Sequence, residues 1–252
     1  PCSVVPWTVI EKWYKKGTYV PYGGPDKEKQ EVLKEVIHYA MSITPPWVRL
    51  PRIVRDIPVN YIESGCRRPN MRQDISDQML KKGEKCLDIR SREIGRNIKY
   101  MGKIPKLYIR KYQCNNGLEY FISYESYDSV ALYGFLRLRI PFSSSKQIFK
   151  CLSNKGLVRE LHIYGNVTPV GSVNKNVQHK GLGKKLINIA ENISIRDGKQ
   201  GIAIISGVGV IDYYRNLDYV LKDTFMIKEW YNSWFFRGVS YIILFFRVRL
   251  NM

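Results

Sequence analysis

Residues 178–192 read QHKGLGKKLINIAEN, and no other stretch constrains the fold of this chain as strongly. Gly181 and Gly183 stand two apart at the head of a run in which Leu186, Ile187, Ala190 and Ile193 recur at helical spacing. A glycine inside a helix costs about 1 kcal/mol relative to alanine, so two at one helix head need a reason. The run is preceded by GLVRELHIYG (156–165), which reads as a strand, and followed by the apolar strand QGIAIISG (200–207). A helix that begins after a glycine turn offers unpaired N–H groups and the positive end of its dipole, which suits a pyrophosphate. The spacing is not GxxxxGK[ST], and it lacks the third glycine of GxGxxG. From these residues alone a phosphate cradle and a plain tight turn both stay open.

Charge narrows the choice of partner. The 252 residues are 44% hydrophobic and 13% aromatic, enough for a substantial core, and they carry 41 Lys and Arg against 22 Asp and Glu, a net +19. Such a surface attracts polyanions, nucleic acid first. Residues 49–111 hold 17 of the basic residues and 7 of the acidic ones, with Trp47, Tyr61, Tyr100 and Tyr108 nearby or among them. Basic residues interleaved with aromatics suit phosphate contact and base stacking, and they suit an interface to another domain equally well. Cys2, Cys66, Cys86, Cys114 and Cys151 show no CxxC spacing and are odd in number. That argues against a disulfide framework or zinc knuckle and for reduced thiols in the cytoplasm. The apolar run Val239–Phe246 is eight residues long, far short of the ~20 that cross a bilayer. The chain opens PCSVVPW with no initiator Met and no secretory pattern, so it is expected to be soluble and to be a fragment.

The element pattern predicts an α/β protein with a mainly helical, basic region over residues 1–103. Pro6 marks a helix start and Gly17 a stop, and Asp26 is a candidate N-cap for a helix whose Val32, Val36, Ile37, Ala40 and Met41 form one face. Pro45, Pro46, Pro51 and Pro58 break the chain into extended segments and turns, and a further helix ends near Gly83. From 104 to 228 the pattern changes. KLYIRKYQC, GLEYFISYES and SVALYGFLRLRI read as an antiparallel meander, followed by the strand–helix–strand unit, a short helix over VIDYYRNLDY and one strand over YVLKDTFMIK. Together these predict a mixed, largely antiparallel sheet with flanking helices. Residues 229–252 are expected to add a final strand.

The combination of QHKGLG at a helix head with DYYRNLDY after a second strand resembles the GCN5-related N-acetyltransferase fold. Several further words resemble, in order, the Elongator catalytic subunit family, the tRNA uridine carboxymethyl synthases. They are PWTVIEKWYKKGTYVPY, PPWVRLPRIVRDIP, CLDIRSREIG, VRELHIYG and AIISGVGVIDYYRNLDY, and they cover roughly residues 1–228. The resemblance implies an enzyme that modifies C5 of the wobble uridine in tRNA with acetyl-CoA as the group donor, with tRNA stimulating acetyl-CoA hydrolysis. It also implies a radical domain that holds an iron–sulfur cluster and S-adenosylmethionine. No CxxxCxxC occurs here, so that domain is expected in cis or in trans outside this chain. A homo-oligomer is compatible with the sequence, and no membrane partner is expected.

Site residues follow from the same likeness. Val170, Gln178, His179, Lys180, Gly181, Leu182, Gly183 and Lys184 would hold the cofactor, the backbone amides of 178–184 taking its pyrophosphate and Val170 lying in a backbone lining along its pantetheine arm. Strand alternation puts Glu160 and His162 on one face, where either is a candidate base or a structural hydrogen-bonding group. Tyr213 and Tyr214 are candidate acids for the departing thiolate, one of them being expected to pack in the core. Arg52, Arg55, Arg67, Arg68, Arg72, Arg90, Arg92 and Arg96 are candidate tRNA contacts, or partners for carboxylates of the radical domain. His38 is expected to be structural. CLDIRS stands where related proteins carry a CxCxxC zinc motif. Cys86 remains, but Asp88 and Ser91 replace the others, and no metal site is expected. Asp218 stands where the family usually has glycine, and Asp tolerates a left-handed backbone. Two other readings fit the residues: a protein lysine N-acetyltransferase, and a non-catalytic tRNA-binding or assembly module with a degenerate acetyl-CoA site.

Overall fold

The computed structural model describes residues 3–23, 26–51, 57–68, 70–145, 147–164 and 181–230. The chain divides into two compact units, one formed by Pro1–Lys103 with Ser126–Leu132, the other by Ile104–Glu125 with Tyr133–Met252.

The first unit is helical. Helix α1 (Val9–Lys15) begins at Thr8, whose hydroxyl accepts from Glu11 N at 3.2 Å while the Glu11 carboxylate accepts from Trp7 N at 2.6 Å. This is a near relative of the capping box. Asp26 caps α2 (Lys27–Ser42) as its position predicts, accepting from Glu28 N and Lys29 N. The face that α2 buries differs from the expected one. Leu33, Ile37 and Met41 go inward, packing with Cys66 and with Met71, Ile75 and Met79 of α3 (Met71–Lys81). Val32 and Val36 lie on an exposed row that continues through Tyr39 and Ile43. The helix carries two adjacent apolar rows, and periodicity alone does not say which one meets the core. A fourth, single-turn helix, α4 (Ile89–Arg92), starts at the N-cap Asp88.

The second unit is built on a seven-stranded, mostly antiparallel sheet of order β1-β2-β3-β4-β5-β7-β6. Its strands are β1 (Lys106–Gln113), β2 (Gly117–Glu125), β3 (Leu132–Pro141), β4 (Lys155–Ile163), β5 (Gly201–Ile205), β6 (Val220–Lys222) and β7 (Phe225–Glu229). Two helices interrupt the strands, α5 (Leu182–Arg196) and α6 (Ile211–Arg215). This is the mixed sheet with flanking helices that the acetyltransferase resemblance implied. Leu186, Ile187, Ala190 and Ile193 of α5 are all buried, packed against Tyr120, Ile122, Leu136, Leu138, Val158, Ile202 and Ile204 of the sheet. Each such aliphatic side chain removed from water contributes roughly 1.5–3 kcal/mol, which fixes α5 across one face. The segment YVLKDTFMIK is a hairpin rather than one strand: β6 and β7 pair antiparallel about Asp223, whose φ is +54°. No Asn-Gly or Asp-Gly announces this turn, so its sequence signal is weak. Trp230, the last described residue, ties its main-chain and indole N–H groups to Gln200 O and Lys199 O. Of the segment 229–252 expected to add a final strand, Glu229 ends β7, and 231–252 lie outside the described residues. No described helix is long and apolar enough to cross a membrane.

Candidate functional site

The head of α5 explains both glycines. Gly181 is the N-cap with φ +88°, a left-handed conformation that costs a residue with Cβ about 1 kcal/mol or more. It offers no side-chain cap, and among the described residues no side chain takes up the first amides of this 15-residue helix. Gly183 has a different task. A Cβ there would stand 2.9 Å from the Tyr213 hydroxyl and 3.7 Å from Ile163. The second glycine therefore lets a phenol from α6 come down onto the helix head. Leu182 anchors in the core, Lys184 is exposed beside the head, and no acidic residue lies in the first turn. Val170, Gln178, His179 and Lys180 lie outside the described residues.

Beside this helix head the sheet opens. β4 pairs in parallel with β5 only from Lys155 to Val158, opposite Gly201 to Ile204. β4 runs on to Ile163 while still paired with β3, Gly134 opposite Ile163. Arg159–Ile163 thus have no described β5 partner on that edge. An extended amide-bearing chain could use those main-chain groups, and α5, whose first amides have no side-chain partner among the described residues, begins at the same end. These features fit a pyrophosphate with a pantetheine arm, held chiefly by backbone.

Environment separates the paired tyrosines. Tyr214 is 5% exposed, lies in the main core and meets Tyr213 edge-on at 5.2 Å and Tyr219 at 6.1 Å. Burial, then the neighbouring Tyr213, pushes its pKa up to about 12. Tyr213 is 40% exposed, with burial raising its pKa to a lesser degree. The turn after them holds: Asp218 adopts φ +65°, and Tyr219 N reaches Tyr214 O at 3.1 Å. The carboxyl of Asp218 thus stands in the backbone conformation that glycine usually supplies.

On the face of the sheet opposite α5, charged residues stand around Phe121 and Phe135. Glu160 receives a hydrogen bond from Arg137 Nε at 2.8 Å, and its other oxygen is 3.6 Å from His162 Nε2. The His162 ring stacks on Phe135 at 5.8 Å and on Tyr164 at 5.9 Å. Further out, Glu119 accepts from both Arg139 and Arg159, and Arg110 grips Glu125 through two nitrogens. Sequence reasoning passed over Arg137. Its signal was present in FLRLRI, where arginines alternate with leucines on a central strand and so must share one face.

In the first unit the arginines divide. Arg92 is 1% exposed and donates to the carbonyls of Leu87, Pro46 and Ser129. That corrects its reading as a phosphate contact, because a buried guanidinium spent on main chain cannot reach RNA. Arg72 is committed to Asp88 and Ser91 at 2.8 and 3.2 Å. Arg67 donates to the carbonyls of Ile62 and Glu63, and Arg96 makes a loose 3.9 Å pair with Glu93. Arg67, Arg68 and Arg96 are exposed and Arg90 is half-buried, whereas Arg52 and Arg55 lie outside the described residues. Arg90, Arg96, Lys85 and Lys99 line a cleft of about 700 Å³. His38 pairs with Glu84 at 2.6 Å.

Cys86, Asp88 and Ser91 do come together, with the Cys86 sulfur 3.5 Å from Asp88 and 3.6 Å from Ser91. The cation held by Asp88 is the Arg72 guanidinium. Among the described residues no group of three or more His, Cys, Asp or Glu side chains could hold a metal ion. Burial works to raise the Asp88 pKa, but bonds from Ser91 and Arg72 outweigh it and hold the carboxyl below its usual range. Burial is likewise overcome at Asp128, where hydrogen bonds from Ser126 and Tyr100 bring the value to about 2. Carboxyls with depressed folded values contribute stability above their unfolded value of about 4 and lose it as pH falls through the folded value. The thermal stability of the first unit is therefore expected to fall from pH 4 to pH 2, and Asp128→Asn should flatten that dependence. An unchanged slope in the variant would contradict it.

Comparison with known proteins places these features. Residues 1–81 match the Radical_SAM C-terminal domain family. The tRNA uridine(34) acetyltransferase of Methanocaldococcus jannaschii is 38% identical over 236 residues, covering 90% of this chain and 42% of that protein. Human Elongator complex protein 3 is 37% identical over 235 residues, covering 90% of this chain and 41% of that protein. The solved structure of archaeal Methanocaldococcus infernus Elp3 with an N-terminal deletion superposes with a TM-score of 0.76 at 35% identity, over 91% of this chain and 54% of that one. The chain thus spans less than half the length of these curated relatives.

Proposed function

The chain belongs to the tRNA uridine(34) acetyltransferase and Elongator complex protein 3 family, in its C-terminal region, and from that premise we propose that it is the acetyl-CoA-binding, tRNA-docking part of a wobble-uridine-modifying acyltransferase. The observation that carries this reading is the meeting of Gly183 and Tyr213 at the head of α5, whose N-cap is the left-handed Gly181, beside the stretch of β4 that has no described β5 partner. We assign acetyl-CoA binding to residues 104–228 and tRNA docking to residues 1–103, where Arg67, Arg68 and Arg96 are exposed and Arg90 is half-buried.

In this reading the amides of Gly181–Lys184 take the pyrophosphate, and bound acetyl-CoA supplies an activated thioester. Glu160 and His162 serve as the proton-accepting pair. His162 takes a proton from water as its oxygen bonds to the acyl carbon and the C–S bond breaks. Tyr213 gives its proton to the departing thiolate and regains one through solvent. Transfer to C5 of uridine needs a radical domain with its iron–sulfur cluster and S-adenosylmethionine, in cis or in trans. The exposed apolar row Val32, Val36, Tyr39 and Ile43 offers that domain a surface.

Calorimetry with a non-hydrolysable acetyl-CoA analogue tests the proposal. Binding is expected, tRNA should stimulate acetyl-CoA hydrolysis, and Gly183→Val should lose about 100-fold in affinity by steric conflict with Tyr213. Absence of analogue binding would leave a tRNA-binding or assembly module instead. Acetylation of a basic peptide without any effect of tRNA would favour a lysine acetyltransferase.

A further inference from the structure

We propose that Arg137 is a positioning residue of the acyl site, fixing Glu160 through one oxygen so that its other oxygen faces His162, and that His162 is the member of the pair that meets the reacting group. The proposal rests on the acetyl-CoA reading above and adds to it the order in which three side chains act.

The three form a graded series from interior to solvent. Their side chains are 18% exposed for Arg137, 29% for Glu160 and 49% for His162. Arg137 is the pinned end. Its guanidinium lies over the rings of Phe121 and Phe135 at 5.6 and 5.5 Å, and its Nε donates to Glu160 at 2.8 Å. Stacking and hydrogen bonding together hold a planar guanidinium in one orientation. The neighbouring arginines of this face are engaged elsewhere: Arg139 and Arg159 with Glu119, Arg110 with Glu125.

Glu160 is the middle member. Arg137 takes one oxygen at 2.8 Å, and the other is turned to His162 at 3.6 Å. A carboxylate gripped by guanidinium on one side orients what stands on its other side. His162 is the open end, its ring plane set by Phe135 and Tyr164 at 23° and 17°. Both Glu160 and His162 belong to the stretch of β4 beyond the parallel pairing with β5. An imidazole so oriented presents a defined nitrogen to a proton donor.

The test is steady-state, tRNA-stimulated acetyl-CoA hydrolysis by the whole protein, with analogue binding measured alongside. Arg137→Gln is expected to lower kcat about tenfold with KM for acetyl-CoA changed by less than about twofold. Arg137→Lys, which keeps the charge but not the planar stack, should recover only part of the loss. The double variant Arg137→Gln with Glu160→Gln should be no slower than Glu160→Gln alone, because the two act as one unit. Losses that multiply in the double variant would overturn the proposal, and so would parental kcat in Arg137→Gln or His162→Gln. If Arg137→Gln does not fold, Arg137→Lys decides: parental kcat there rejects the role of the stacked guanidinium. A parent that binds no acetyl-CoA analogue removes the underlying reading and the proposal with it. A parent that binds and turns over while Arg137→Gln is unaffected removes the proposal alone.

Discussion

Tyr213→Phe is expected to lower acetyl-CoA turnover about 100-fold, the lower end of what a positioned acid contributes, with acetyl-CoA affinity nearly unchanged. Tyr214→Phe should stay within about threefold of the parent in turnover and show its effect in the melting temperature instead. The two residues are adjacent and chemically identical, so the difference tests geometry alone. The Tyr213 hydroxyl reaches the position where Gly183 lacks a side chain. Tyr214 points into the core with Tyr219, whose own hydroxyl donates to Glu191 at 2.8 Å. Its pKa of about 12 makes Tyr214 a weaker acid. Single-turnover kinetics with each variant would decide the matter, and equal losses in both would contradict the assignment.

The second large effect is structural. Asp88→Ala is expected to destabilise the first unit by about 3–5 kcal/mol, the cost of breaking a buried ion pair from one side. The Asp88 side chain is fully buried and accepts from Arg72 through both oxygens at 2.8 Å. It also accepts from the amides of Leu50, Arg90 and Ser91 at 3.3, 3.2 and 3.0 Å. Alanine would leave the Arg72 charge and those donors unmet while uncapping α4. Domains hold only about 5–15 kcal/mol in total, so denaturant titration should show loss of a large share of the unit's stability. Arg72→Ala should cost a similar amount, and the double variant less than the sum of the two. A cost below about 1 kcal/mol for Asp88→Ala would mean that the network is dispensable.

Much of this arrangement was legible beforehand where the signal is local. Capping of α2 by Asp26 needs only the four consecutive residues 26–29. The buried face of α5 follows from one clean 3.6-residue repeat, whereas the left-handed Asp218 was expected only through the family resemblance, which has glycine at that place. Where two local signals compete, the reading slipped. Helix α2 has two apolar rows, and the one chosen mixed buried and exposed positions. The Asp223 turn of the β6–β7 hairpin carries no distinctive dipeptide and was hidden inside an apparently continuous strand.

By itself, the sequence determined the order of helices and strands from β1 to α6, the basic character of the first hundred residues, and the presence of a glycine-headed helix followed by two tyrosines. Each of these is set by neighbours within a few residues, through backbone preference and periodic burial. Only the tertiary structure decided which tyrosine comes down onto Gly183, that Arg92 is buried while Arg68 is exposed, and that Arg137 stands behind Glu160. Those outcomes depend on which strands become neighbours and on what covers each face. Burial and pairing between residues far apart in the chain are properties of the packed whole.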